Sequence, residues 1–513
     1  MVQAERMLHP LLIAVYIAAS AGLFIYGINC YVLIALYLRR RRIMERANVA
    51  VIAGAAARFE RPAGLPMVTT QIPIYNEANV AERALRAAAA IDYPRDRHEI
   101  QVLDDSTDET RDIVDLAAAE LRAAGHRIAV VRRERRTGFK AGALAAGLET
   151  AAGEFIAIFD ADFVPPTRFL RDALPFFFQD ARLALVQGRW GHLNDLESPL
   201  TRAQAIAIDG HFMVEQSART FNGLLMNFNG TGGLWRRAAI ADAGGWTADT
   251  LTEDLDLSYR AQLAGWHMHY VSELEVPGEL PAGLAAFKSQ QFRWAKGSIQ
   301  TAGKLLGRIW RSERSGWVKL QASLHLTHYA VHPLMLLTAL LALPALAGVS
   351  GREMGFLGAP ALVMVLAIIA PNSMYLVGQR SLYPGWLWRL RWLPALSCLG
   401  IGISASNSRA VFEAIIGRPS EFVRTPKRGD RSAKTYAAPR TVQPWIEVGL
   451  GLYCCLSLVV FIGSGRYAVT PLLALYAAGF LATGAIGLAE ARKPAKTPLL
   501  GVPTVFGESV PRA

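Results

Sequence analysis

Phe155-Ile156-Ala157-Ile158-Phe159-Asp160-Ala161-Asp162 is an unbroken apolar run that ends on two carboxylates. A stretch apolar at every position fits a parallel strand buried on both faces better than a half-exposed antiparallel one. The carboxylates then fall at the carboxyl end of the strand, where wound α/β sheets bind their ligands. Other strand-like stretches lie around it. Val68-Thr69-Thr70-Gln71-Ile72-Pro73-Ile74 reads as a first strand, with Pro73 near its end. Residues 99–103 and 127–131 read as a second and third, the opening run as a fourth, and residues 184–187 as a fifth. Alanine-rich helical segments at 78–91 and 111–124 separate the early strands. This alternation predicts a wound α/β sheet.

The chain of 513 residues is long enough for two or three domains. Its hydrophobic share of 52% against 19% charged exceeds that of a soluble protein. The excess sits in a few long runs on either side of a middle region of ordinary polarity. The net charge of +12 raises nucleic acid as a partner. However, the Lys and Arg residues cluster beside the apolar runs, as the cytoplasmic flanks of membrane segments do, and no zinc-like spacing or arginine-rich recognition motif occurs. The composition is therefore read as that of a protein in contact with a lipid bilayer and not with nucleic acid. Cys30, Cys398, Cys454 and Cys455 all lie in apolar stretches. None has metal-site spacing, and the adjacent pair is a poor disulfide, so they read as structural thiols.

Residues 10–38 form the first apolar run and end at Arg39-Arg40-Arg41-Arg42. The run is too long for the core of a signal peptide and lacks a preceding positive cluster. The arginines predict an outward-facing N-terminus and a cytoplasmic chain from residue 43. Between residues 67 and 304 no run is long and apolar enough to span a bilayer. Apolar runs return at 320–347, 356–377, 445–462 and 468–488. A further run, 393–416, contains Ser404, Asn407, Arg409 and Glu413. Charges at a helix centre are costly in lipid, so this run reads as an amphipathic interface helix. Arg380, Arg389 and Arg391 before it, and Arg424, Lys427, Arg428, Arg431 and Lys434 after it, place both flanking loops in the cytoplasm, together with the tail bearing Arg492 and Lys493. The expected organisation is a transmembrane helix in residues 1–42 and a cytoplasmic α/β domain in 43–304. Four transmembrane helices follow in 305–490, with the interface helix at 393–416 and a loop at 417–440, and then a cytoplasmic tail, 491–513. Such a chain is a multi-pass protein of the plasma or inner membrane.

The polar residues at strand ends suggest chemistry. Asp104-Asp105 closes the second strand, and Asp160 and Asp162 close the fourth. Two carboxylates at i and i+2 can hold a hard divalent cation, Mg2+ or Mn2+, which then bridges a diphosphate. A bare DxD is a weak signal, and Asp254-Leu255-Asp256 is another; the position after a buried strand singles out the first. Thr252-Glu253-Asp254 has good helix-capping chemistry and also sets a carboxylate where a base would be useful. In Gln290-Gln291-Phe292-Arg293-Trp294, the indole suits stacking on a sugar ring and the guanidinium suits a phosphate, although both residue types also anchor proteins at membrane surfaces. Lys140, within Thr137-Gly138-Phe139-Lys140, is either a phosphate contact or an exposed lysine at a helix start. Gly230-Thr231-Gly232-Gly233 either admits a ligand close to the backbone or makes a turn.

Taken in order, DDSTDET at 104–110, GFKAGAL at 138–144, FDADF at 159–163, FNGTGGLWRR at 228–237, TEDLDLSYR at 252–260 and QQFRW at 290–294 resemble the family 2 glycosyltransferases of the processive, cellulose-synthase-like branch. Within it the sequence is most similar to the mannan and glucomannan synthases of the cellulose-synthase-like A type. The resemblance implies a GT-A fold and an inverting, metal-dependent hexosyltransferase. Its donor would be UDP-glucose or GDP-mannose and its acceptor a growing β-linked glycan; accessory export proteins stay open as partners. It assigns Asp104 and Asp105 to the nucleotide, with Lys140 also on the donor side. Asp160 and Asp162 match the DxD, Asp162 being the direct metal contact. Asp254 matches the general base, with Glu253 beside it. Gln290, Arg293 and Trp294 match the QxxRW motif, which holds the diphosphate and the acceptor end; Thr231 and Gly232 fall on the acceptor side. Residues 422–427 are similar to the FxVTxK gating loop: Phe422, Thr425 and Lys427 match, whereas Arg424 stands where the family has valine. A non-processive enzyme that glycosylates a membrane lipid is the alternative. A transporter without catalysis is disfavoured by the α/β domain and its motif series.

Overall fold

The computed structural model describes residues 2–61, 64–347, 358–419, 429 and 441–492. Helix α1 (Val2–Gly54) is continuous through the arginine cluster and contains Pro10. The central region then alternates as expected: β1 (Val68–Ile74), α2 (Ala81–Ala89), β2 (His98–Asp104), α3 (Thr110–Ala123), β3 (Arg127–Val131), α4 (Phe139–Thr150), β4 (Phe155–Ile158) and α5 (Phe169–Phe177). Beyond it lie β5 (Leu183–His192), α6 (Pro199–Gly210), β6 (Gly233–Arg236), α7 (Glu253–Leu263) and β7 (His267–Gly278).

These strands form one sheet in the order β3-β2-β1-β4-β6-β5-β7. Strands β1 to β4 pair in parallel, whereas β6 runs antiparallel to both of its neighbours, β4 and β5. Strand β7 pairs parallel to β5. The wound parallel half thus matches the expectation, and β6 makes the whole sheet mixed. All four residues of β4 are buried. Phe155 and Ala157 pack with Leu170 and Leu174 of α5, while Ile156 and Ile158 pack on the opposite face with Leu185, Trp235 and Leu257. Two cores meeting at one strand explain why it carries no polar residue.

Helix α8 (Leu284–Arg311) leads from the sheet to α9 (Val331–Leu346), α10 (Gly358–Leu382), α11 (Leu393–Gly402), α12 (Ser404–Ile415), α13 (Gln443–Gly463) and α14 (Thr470–Arg492). Among the described residues four helical stretches are long and apolar enough to cross a membrane: His9–Phe59, His328–Leu346, Gln443–Gly463 and Tyr467–Arg492. The run at 320–347 is divided, because a separate helix, Gly316–Leu326, precedes that second stretch. The single helix expected over 393–416 is two helices. The second of them, α12, buries its N-terminal part, Ser404, Ser406, Asn407 and Ser408, together with Ala410 and Val411, and exposes Arg409, Phe412 and Ile415. The helix is therefore enclosed by the protein at its start and emerges toward its end. The gating-like residues Phe422, Thr425 and Lys427 lie outside the described residues, as does the tail from 493. All four cysteines are free thiols.

Candidate active site

An open cleft lies over the carboxyl ends of β1, β2 and β4, lined by Asp105, Lys140, Asp160, Asp162, Glu253, Asp254, Gln290, Arg293 and Trp294. Residues from five elements, far apart in sequence, meet there.

Asp105 follows directly on β2. Both of its oxygens accept from Arg133, with Nε to Oδ1 at 3.0 Å and Nη2 on Oδ2. Arg133 also donates to the carbonyls of Thr137 at 2.8 Å and Phe139 at 3.0 Å, which pins the loop before α4. In that loop the Arg136 guanidinium stacks 3.5 Å from the Tyr75 ring centroid and 5.0 Å from that of Phe139. All three of these residues line the cleft next to Asp105 and were missed by the sequence reading. Asp104 is placed differently. Its buried carboxylate accepts from Arg132 Nε at 2.9 Å and from the Ser106 amide at 3.0 Å, and it does not line the cleft.

Lys140, in the first turn of α4, donates to Asp160 Oδ1 and to the Gly230 carbonyl at 2.9 Å, and lies 4.0 Å from Glu253 Oε1. Burial opposes its charge, but Asp160 and Glu253 outweigh that effect and hold its pKa above the ordinary value. Gly230 has φ of +84°, and a Cβ there would sit 3.0 Å from Asp254 Oδ2 and 3.3 Å from Lys140 Nζ. Glycine is therefore required twice, for its backbone and for space. Thr231 is fully buried beneath this point, with its Oγ1 accepting from the Asp160 amide at 2.9 Å. Its carbonyl takes Gln187 Nε2 at 3.0 Å and Trp190 Nε1 at 3.2 Å. Gly232 pairs through its carbonyl with the Gly188 amide at 2.8 Å. Thr231 and Gly232 thus underlie the cleft without lining it.

Thr252 occupies the N-cap position of α7 but makes no side-chain cap; its Oγ1 lies 3.3 Å from Thr301 Oγ1 instead. Glu253 and Asp254 occupy the first helical turn, and Asp254 Oδ1 accepts from the Leu255 amide at 2.8 Å. Burial, then the Glu253 carboxylate, pushes Asp254 up to about 7, against the pull of Lys140. Burial likewise raises Glu253. On α8, Gln290, Arg293 and Trp294 share one face, at the i, i+3, i+4 spacing. Gly297 continues that face, and a Cβ there would meet Thr252 at 2.6 Å, so its absence lets α8 lie directly against the start of α7. Burial lowers the Arg293 pKa, while the carboxylates of Glu253, Asp160 and Asp162 favour its charge. Trp294 faces Trp190 at 6.4 Å between ring centroids, and Trp190 meets Phe163 at 5.0 Å. Trp190 is a further lining residue that the sequence reading left without a role.

Among the described residues no group of three or more His, Cys, Asp or Glu is gathered to hold a metal. Asp160 and Asp162 supply two carboxylates at the cleft. That set fits Mg2+ or Mn2+ bound mainly through substrate phosphates and water and does not fit an all-protein cage. Asp160 Oδ1 already attracts one cation, the Lys140 ammonium.

Comparison with known proteins bears on the family and the fold. A family model described as "Glycosyltransferase like family 2" matches residues 66–297. The probable glucomannan 4-beta-mannosyltransferase 10 of Arabidopsis thaliana is 33% identical over 481 residues, covering 88% of this chain and 83% of that protein. Glucomannan 4-beta-mannosyltransferase 1 of Cyamopsis tetragonoloba is 31% identical, with 94% of each chain covered. Among solved structures, the mannosyltransferase PcManGT from Pyrobaculum calidifontis, in complex with GDP-Man and Mn2+, superposes with a TM-score of 0.52 at 20% identity, covering 80% of this chain and 100% of that one. That likeness establishes a shared GT-A-type fold. With relatives this similar over most of its length, and with the motif series gathered around one cleft, the chain belongs to glycosyltransferase family 2, in its cellulose-synthase-like A branch, and is a hexosyltransferase.

Proposed function

We propose that the protein is integrated in a membrane and transfers mannose from GDP-mannose, with inversion, to the end of a growing β-linked mannan that leaves through its membrane helices. The observation that carries the reading is the meeting, in one cleft, of a carboxylate suited to proton removal, a cationic and metal-ready site for a diphosphate, and an aromatic wall for a sugar ring. The relatives' mannosyltransferase names support mannose as the sugar.

The acceptor hydroxyl attacks the anomeric carbon from the face opposite the leaving diphosphate. Asp254, with a pKa of about 7, takes the proton of that hydroxyl near neutral pH. Such base catalysis contributes about 10²–10⁴ in rate. Arg293 and Lys140 face the negative charge that builds on the diphosphate. A divalent cation held by Asp160 and Asp162 would supply further charge neutralisation there. Trp294 and Trp190 offer ring faces to the acceptor sugar. Tyr75, Arg136 and Phe139 offer stacking surfaces to the nucleobase, with Asp105 as a hydrogen-bond acceptor beside them.

A donor screen on the purified full-length protein tests this. Radiolabelled GDP-mannose is expected to give long chains, and UDP-glucose none or few. Label recovered only as single-sugar products, or only in extracted lipid, would overturn the polymerase reading in favour of a glycolipid-forming enzyme.

A further inference from the structure

Helix α8 carries Gln290, Arg293 and Trp294 on its cleft face. About half a turn away, at 3.6 residues per turn, lies the face formed by positions 284, 288, 292 and 296. That second face is gripped along its length by the late helices. At its N-terminus the N-cap residue is Gly283, which has no side chain to cap with. The Glu490 carboxylate of α14 does so from outside, accepting from the Leu284 amide at 2.7 Å and the Ala285 amide at 2.9 Å. One turn on, Lys288 Nζ donates to both oxygens of Glu447 on α13, 2.7 Å to Oε1. The Arg409 guanidinium of α12 lies 4.9 Å over the Phe292 ring. Lys296 Nζ then pairs with Glu413 of α12 at 2.9 Å.

These ions are costly where they stand. The Glu447 and Lys288 side chains are 0% and 11% exposed, and those of Lys296 and Glu413 are 0% and 13% exposed. A buried ion pair rarely stabilises a fold more than apolar residues of similar size would; its best-attested use is to fix register. An unpaired carboxylate on a helix crossing lipid is costlier still. Two buried ion pairs, through Glu447 and Glu413, and a carboxylate cap from Glu490 hold α8 at points away from its cleft face, and together they point to control of where that helix sits.

We propose that Glu413, Glu447 and Glu490 are positioning residues: they set the height and rotation of α8, and through it the placement of Arg293 against the departing diphosphate and of Trp294 against the acceptor sugar. Arrangement of the late helices is thereby coupled to the chemistry in the cleft. The activity arm of the test rests on the transferase reading; the exchange arm does not.

The experiment uses the full-length protein in lipid nanodiscs. Glu447→Gln leaves Lys288 charged and without its partner carboxylate. Misplacing a catalytic group by about 1 Å costs on the order of 10²-fold, so kcat is expected to fall by about that factor. The donor KM is expected to hold, because Asp105 and the loop of Arg136 bind the nucleotide end from other elements. Amide hydrogen exchange across residues 284–296 is expected to rise. The swap Lys288→Glu with Glu447→Lys is expected to recover both readouts, which a loss of general stability would not predict. Glu490→Gln is a milder second variant: it keeps one acceptor oxygen, and exchange is expected to rise only in the first turn of α8. Wild-type kcat and unchanged exchange in Glu447→Gln would overturn the proposal, as would a folded swap variant that recovers neither. If the wild type transfers no sugar while exchange responds as expected, the transferase reading fails and the positioning role stands.

Discussion

Replacing Asp254 with asparagine removes the proposed base while keeping the shape of the side chain and an oxygen for the Leu255 amide. Loss of base catalysis is worth about 10²–10⁴ in rate, or about 3–5 kcal/mol of barrier. The same substitution has a second effect, of opposite sign, on stability. Burial and Glu253 raise Asp254 from 3.8 to about 7. A carboxyl with a raised pKa keeps its full contribution to stability below its unfolded value, loses it progressively as pH climbs from about 4 to about 7, and is level above that. At 1.36 kcal/mol per pH unit, the loss reaches at most about 4 kcal/mol. Asp254→Asn does not titrate and avoids it. The variant is therefore expected to be nearly inactive at every pH and yet to melt higher than wild type, by a margin that grows through pH 4–7 and then stays constant. Initial transfer rates and thermal melts of the two full-length proteins, in matched buffers from about pH 5 to about pH 9, give both quantities; the wild-type rate is expected to rise through pH 7 as the base ionises. A variant that keeps more than about a tenth of the wild-type kcat, or whose stability margin shrinks with rising pH, would refute the assignment.

Other perturbations are equally direct. Gly230→Ala forces a Cβ to within 3.0 Å of Asp254 Oδ2 at a φ of +84°; it is expected to abolish transfer while a melting curve still shows a folded protein. Trp294→Ala removes one ring face from the acceptor wall, and since an aromatic contact is worth about 0.5–1.5 kcal/mol, the acceptor KM is expected to rise about two- to tenfold with donor hydrolysis retained. Chelating divalent cations is expected to stop transfer, adding Mg2+ or Mn2+ to restore it, and Asp162→Asn to raise the cation concentration required, all read from initial rates.

Much of this arrangement is legible in the sequence, for reasons visible in particular elements. Strands β1 to β4 stand out because each is a short apolar run followed by a helical period, and β4 is apolar throughout because cores press on it from both sides. Strand β6 escapes notice because it is four residues long and begins at a glycine turn. Strand β7 was there to be found: His267-Met268-His269-Tyr270 alternates exposed or half-buried with buried positions, but its charged and histidine residues mask the period. In the site, the motif order marks the residues and only the fold shows which way each points. Asp104 and Asp105 are neighbours, and because successive side chains at a strand alternate, one is locked to Arg132 in the interior while the other lines the cleft. Thr231 reads as a contact and serves as a support, since its hydroxyl is taken by the Asp160 amide. The stack of Arg136 on Tyr75 depends on a loop with two residues at positive φ, Gly138 at 71° and Phe139 at 49°, which no periodicity marks. The carboxylates that grip α8 arrive from residues 413, 447 and 490, well over a hundred residues further along the chain.

The most direct measurement is to incubate the purified full-length protein, reconstituted in liposomes, with radiolabelled GDP-mannose and a divalent cation, and to size the labelled product before and after digestion with a β-mannanase. A long, β-linked chain that the mannanase shortens is the expected result. Label that stays on short products, resists the β-mannanase, or never leaves the donor would contradict a polymerising, inverting mannosyltransferase.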